Sequence, residues 1–154
     1  MLRAALSHVV EGVCLLLMVV LTLDLMLGVF SRYVLVQTFT WYDEIARICF
    51  VWVVFLGAAV GVRRHSHFHL HLLVDRAPPR TQRAIAVLGR LVVVGFAAAL
   101  VQQGWAFVDL GRFQQTPVMG LPKSWVYLAM PTGGALIILF SLAPLGRALR
   151  DLVR

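Results

Sequence analysis

Three ionisable residues, Asp43, Glu44 and Arg47, stand near the start of an apolar stretch and have the types and spacing to do chemistry. Separations of four and three residues let both acids meet the arginine on adjoining faces of a helix. Ionisable side chains at membrane depth are costly, so they pair, face protein, or carry ions or protons. A proton relay or ion site needs further acids leading inward, and none follows in the same stretch. The expected role is therefore structural: an ion-pair cluster that orients the helix and docks a partner. Acids in a first turn also suit the helix dipole. Asp24 adds to this set. It lies about six residues from the outer end of its own apolar stretch, as Arg47 does from the outer end of the next. Antiparallel neighbours would bring the two to similar depth, so an Asp24–Arg47 pair is open; an Asp24 facing a partner protein is the rival.

Four histidines alternate in His65-Ser66-His67-Phe68-His69-Leu70-His71. Imidazole suits zinc, copper or nickel. Asp75 is the one nearby carboxylate, and alternation sends neighbours to opposite faces of a strand. On a helix, pairs such as His67 and His71 converge. A hydrated, interfacial run is the expected reading. Haem would need axial histidines inside facing helices, and no apolar stretch contains one. Cys14 and Cys49 belong to different stretches, on the order of 10 Å apart in depth, too far for a disulfide. The chain has no Gly-rich phosphate loop, no Ser/His/Asp or Cys/His set and no metal quartet, so no enzyme is expected.

These residues sit in an unusual composition. Of 154 residues 60% are hydrophobic and 14% charged, with a mean hydropathy of +0.86. Soluble domains are about 45–50% apolar and about 25% charged, and a chain this short has too little interior to hide the excess. Lipid is the solvent that fits. Four stretches reach the roughly 20 residues that cross a bilayer as helix: 9–30, 41–62, 85–108 and 125–145. Pro78-Pro79 forbids a continuous helix through the middle connection. The expected fold is all-α and integral to the membrane, one domain of four transmembrane helices over residues 1–154. The first stretch is too long for a signal-peptide core, holds Glu11 and Asp24, and lacks a small-x-small cleavage site, so it is expected to be retained.

Charge gives the orientation. Fourteen basic residues against seven acidic give a net +7. The basic residues punctuate apolar runs instead of forming an aromatic-laced stripe, which argues against nucleic acid. The N-terminal tail, the middle connection and the C-terminal tail share one side of a four-span chain. They hold Arg3, Arg63, Arg64, Arg76, Arg80, Arg83, Arg147, Arg150 and Arg154, and Arg90 can snorkel toward them. The other side has Arg32, Arg112 and Lys123 in its loops. Positive residues stay inside, so both termini are expected to be cytoplasmic.

The connection before the last span contains Thr116-Pro117, Gly120-Leu121-Pro122, Trp125 and Tyr127, a rigid turn followed by an aromatic anchor. Pro131-Thr132-Gly133-Gly134 either breaks the top of the last helix or lets a neighbour approach closely. Taken in order with Arg32-Tyr33, Trp41-x-Asp43-Glu44-x-x-Arg47, Phe55-Leu56-Gly57-Ala58, Arg63-Arg64, His67 and residues 72–75 before Pro78-Pro79, the pattern resembles the small, DctQ-like membrane subunit of tripartite ATP-independent periplasmic (TRAP) transporters. The resemblance spans about residues 30–135 and lies in the order and spacing of short motifs. His71 stands where that family has an acid four residues after the histidine, so no role is carried to that position. Asp43 stands where Glu is commoner.

The resemblance implies a four-helix subunit of the bacterial inner membrane with both ends cytoplasmic. It implies a large multi-helix membrane partner that holds the substrate and sodium sites, and a periplasmic binding protein that delivers an organic acid. The small subunit would widen the scaffold against which the transport domain moves, with no cofactor of its own. Arg32, Tyr33, Trp41, Asp43, Glu44, Arg47, Asp24, His67, Pro117, Pro122 and Pro131 are the expected structural or interface residues. A stand-alone four-helix exporter or channel, coupled through Asp24 or Glu11, is the alternative. A membrane redox subunit is less well matched, for want of interior histidines or a Cys-x-x-Cys motif.

Overall fold

Along the first helix, Ser7, Val10, Cys14, Leu17, Leu21, Asp24, Gly28 and Ser31 recur at alternating steps of three and four, and all eight are buried or half-buried. That period is the seam of a left-handed helix pair, and it is what lays this helix against the next. The computed structural model describes the backbone of residues 2–36, 39–64 and 79–153, and the side chains of 6–36, 39–64, 85 and 87–142. It contains α1 (Leu2–Tyr33), α2 (Trp41–Arg64), α3 (Pro79–Gly111), the short α4 (Ser124–Tyr127) and α5 (Ala129–Val153). Among the described residues four segments are long and apolar enough to cross a membrane: Leu6–Tyr33, Trp41–Arg64, Val87–Gly111 and Ser124–Leu142. The all-α, four-span expectation holds. Helix ends follow local chemistry: Asp43 and Glu44 occupy the first turn of α2, Arg63 and Arg64 its last, each complementing the dipole. Pro79 opens α3, at the position where its missing N–H costs nothing.

The helices form an open layer in the order α1, α2, α5, α3, with α4 against α3. α5, last in sequence, is central in space. The apolar segment Ser124–Leu142, made of α4 and the first half of α5, is 39% buried over its spanning stretch, against 6% for α1 at the edge. Two adjacent glycines make this placement possible. A Cβ on Gly133 would lie 2.7 Å from Phe55 Cβ of α2, and one on Gly134 would lie 2.9 Å from the Ala97 carbonyl oxygen of α3. From the α3 side, a Cβ on Gly104 would meet Pro131 Cδ at 2.7 Å. Small residues are how helices approach closely where lipid removes the hydrophobic drive to associate. Ala59, Ala97, Ile137 and Phe140 fill the space between α2, α3 and α5, with Leu6 of α1 packed against them.

Pro131 lies against Gly104 of α3, and it also stands at an interruption of the last helix. Having no N–H, it leaves the Tyr127 carbonyl without its i+4 donor, and regular helix pauses at Leu128, which keeps right-handed helical angles (φ −57°, ψ −23°). The Thr132 hydroxyl lies 2.7 Å from the Leu128 carbonyl and 3.1 Å from that of Ala129, restoring polar contact beside the break.

Candidate functional site

The connection from α3 to α4 is a built structure. Thr116 N–H donates to the Leu121 carbonyl (2.8 Å), Lys123 N–H to the Gln114 carbonyl (2.9 Å), and Gly120 N–H to the Thr116 carbonyl (3.2 Å). Buried Thr116 accepts at its hydroxyl from Leu121 N–H at 3.0 Å. Gly120 has φ +64°, a left-handed angle that glycine adopts without a Cβ penalty. Gln115 and Pro122 face each other as an isolated antiparallel bridge, so Pro117 and Pro122 bracket the tip of a short hairpin. Where it rejoins the helices, a Cβ on Gly111 would meet Tyr127 Cδ2 at 2.6 Å. α3 and α4 therefore touch at the loop's base.

Glu44 latches this hairpin to α2. Its Oε2 accepts from Met119 N–H at 2.8 Å, and the residue is buried to 8% exposure. The other carboxylate oxygen, Oε1, is buried with no hydrogen-bond partner among the described residues. Trp52, about two turns further along α2, adds a second tie, donating from Nε1 to the Trp125 carbonyl at 3.2 Å. The loop and α2 are thus joined by groups 75 and 73 residues apart in sequence.

Asp43, Glu44 and Arg47 are thereby separated. The i,i+3 and i,i+4 spacing makes a pair possible, but Glu44 turns toward the hairpin, while Asp43 and Arg47 lie on the exposed side of α2. Among the described residues Arg47 makes no ion pair with Asp43, Glu44 or Asp24. Asp24 sits in the α1–α2 seam, 6% exposed, with Oδ2 lacking a partner among the described residues. It is within electrostatic reach of Asp43 and Cys49. Arg47 faces away from that seam, so similar depth does not bring it to Asp24. Arg32 is exposed, as is Tyr33 at 78%. Trp41 stacks against Tyr42 with centroids 3.8 Å apart, and Phe39 meets Tyr42 edge-on. This makes an aromatic girdle at the same end as the hairpin. His67 and the rest of the run 65–71 lie outside the described residues. Among the described residues no three His, Cys, Asp or Glu side chains converge as metal ligands, and Cys14 and Cys49 are free thiols.

One polar cluster escaped the sequence reading. Glu11 of α1 reaches the end of α2, with Oε1 3.2 Å from Arg63 Nη1 and Oε2 3.2 Å from Arg64 Nη2. The available signal was an acid near the start of one span and two arginines ending the next, an arrangement that antiparallel helices bring together. Cys14, one turn deeper, has its sulfur 4.0 Å from the Val53 carbonyl.

Residues 18–151 match the family model described as the DctQ component of tripartite ATP-independent periplasmic transporters. The chain is 23% identical over 138 residues to the sialic acid TRAP transporter small permease protein SiaQ of Vibrio cholerae, covering 90% of this chain and 80% of that protein. It is 30% identical over 128 residues to the C4-dicarboxylate TRAP transporter small permease protein DctQ of Pseudomonas aeruginosa, covering 76% of this chain and 58% of that one. It is also 28% identical over 102 residues to the isethionate TRAP transporter permease protein DctMQ of Oleidesulfovibrio alaskensis, covering 63% of this chain but 16% of that protein. With four membrane-spanning helices and a family match over most of its length, the chain is a multi-pass membrane protein and belongs to the DctQ component family of TRAP transporters.

Proposed function

We propose that this chain is the small, non-catalytic subunit of a sodium-coupled, binding-protein-dependent importer of organic acids, placed in the bacterial inner membrane with both termini cytoplasmic. Its work is to hold, and the moving parts belong to a large permease partner. The observation that carries this reading is the interlocked centre of the layer. Gly133 and Gly134 hold α5 against α2 and α3 at contacts with no room for a methyl group, and Glu44 fastens the α3–α4 hairpin to α2. Transport sites at the membrane midplane are built from helices broken there. Here the one interruption among the described helices, at Leu128, is four residues from the start of its span.

Size supports a large partner. In the DctMQ relative the stretch similar to this chain is 16% of a much longer permease, so the same unit occurs covalently joined to additional membrane chain. The cytoplasmic placement of the termini rests on the arginine distribution. The stand-alone exporter reading needs a free coupling acid, yet Glu11 is held by two arginines and Asp24 is enclosed in the α1–α2 seam. The test is co-expression with the cognate large permease and purification through a tag on this chain. A stable complex that survives detergent extraction is expected; full recovery of this chain without the permease would overturn the reading.

A further inference from the structure

Asp43, Arg47, Phe50, Val54 and Ala58 recur at steps of four, three, four and four, and all five are exposed. They make one continuous stripe down α2, on the side turned away from both neighbours. α1 is met through Gly57 and Val53 near Cys14, and α5 through Phe55 at Gly133. Phe50 is 58% and Val54 47% exposed. The lower part is thus an apolar ridge narrowing to Ala58, and the upper part carries two opposite charges one turn apart.

The charges are what lipid cannot satisfy. Arg47 lies six residues into a span that begins at Trp41, about 9 Å along the axis. It has no ion pair among the described residues. Glu44, the acid nearest to it in sequence, is already engaged by Met119 N–H. A guanidinium at that depth is disfavoured unless another group neutralises it. We infer that the Asp43–Arg47–Phe50–Val54–Ala58 stripe is the docking face for a transmembrane helix of the large permease subunit, one that sets a carboxylate opposite Arg47 and a hydrogen-bond donor opposite Asp43. Alternating sign along the stripe fixes the register of such a helix, as complementary charge does at other interfaces. The small Ala58 lets the two backbones close together at the far end. The inference rests on the subunit reading given above and adds the face and the chemistry of its partner.

Site-specific photo-crosslinking in the co-expressed complex tests it. A benzoylphenylalanine at Phe50 or Val54 is expected to give an adduct with the large permease, and the same probe at Leu16 or Leu23, on the exposed side of α1, is not. Arg47→Glu is expected to lower recovery of the complex at least tenfold, and Arg47→Lys to retain most of it. If the unsubstituted chain recovers no permease, the subunit reading itself fails. If it recovers the permease while the Phe50 and Val54 probes label lipid alone, or a second copy of this chain, the subunit reading stands and the docking face is wrong. Normal recovery of folded Arg47→Glu with the permease would likewise overturn the charge pairing.

Discussion

Gly133→Ala is the smallest change that should disturb the centre of the layer. The added methyl carbon would stand 2.7 Å from Phe55 Cβ, 3.1 Å from its carbonyl oxygen and 3.3 Å from its carbonyl carbon. All three belong to backbone or to the first side-chain atom, so no rotamer change can move them aside. Carbon atoms pack best at about 3.5–4.0 Å, so α2 and α5 must part by roughly 1 Å. Overpacking of this kind costs about 1–3 kcal/mol. Alanine in a helix interior recovers about 0.5–1 kcal/mol relative to glycine. The net effect is therefore a loss of up to about 2.5 kcal/mol, a fall of up to several degrees in Tm for a chain of this size. Gly95→Ala is the internal control, because a Cβ there meets nothing within 4 Å; that variant should be as stable as the parent or slightly more so. Thermal unfolding of the purified chain in detergent, followed by size-exclusion of the surviving fraction, measures both. Gly133→Ala at or above the parent, with Gly95→Ala below it, would refute the close-packed α2–α5 contact.

Glu44→Gln keeps the shape of the latch but removes its charge, and a hydrogen bond to a charged group is worth about 1.5–3 kcal/mol. The Met119 amide should exchange with deuterium at least tenfold faster, and unchanged exchange would show that the hairpin does not depend on Glu44. Trp52→Phe removes the donor to the Trp125 carbonyl and should cost about 1 kcal/mol of stability without displacing the aromatic ring; a loss below a few tenths would make that bond incidental. Topology is checked by reporter fusions: a fusion at Arg154 should be active in the cytoplasm and one near Gly120 in the periplasm. Periplasmic activity at Arg154 would contradict the orientation.

Hydropathy made the four spans legible, because length and apolar content are local properties. The expected 41–62 lies inside α2 (Trp41–Arg64). α1 and α3 run beyond their expected spans because the less apolar ends 2–8 and 79–84 stay helical. The order of the layer was not legible. Hydropathy is blind to which neighbour a helix meets, and the one clue to a central α5 was the pair Gly133-Gly134, able to admit a helix on each side. Spacing arithmetic allowed Glu44 and Arg47 to meet, but it could not show that Met119, 75 residues away, offers Glu44 a backbone donor. Equal depth allowed Asp24 and Arg47 to meet as well. It could not say that Asp24 lies in the α1–α2 seam while Arg47 belongs to the opposite stripe.

The central claim is that this chain supports transport without performing it, and uptake by reconstituted liposomes tests that claim most directly. The ligand is the organic acid retained by the cognate binding protein, supplied outside together with that protein under an inward sodium gradient. Liposomes holding this chain and the large permease should accumulate the acid, and dissipating the gradient should stop them. Liposomes with the permease alone should lose most of the uptake, and those with this chain alone should show none. Sodium-driven accumulation by this chain alone would contradict the account.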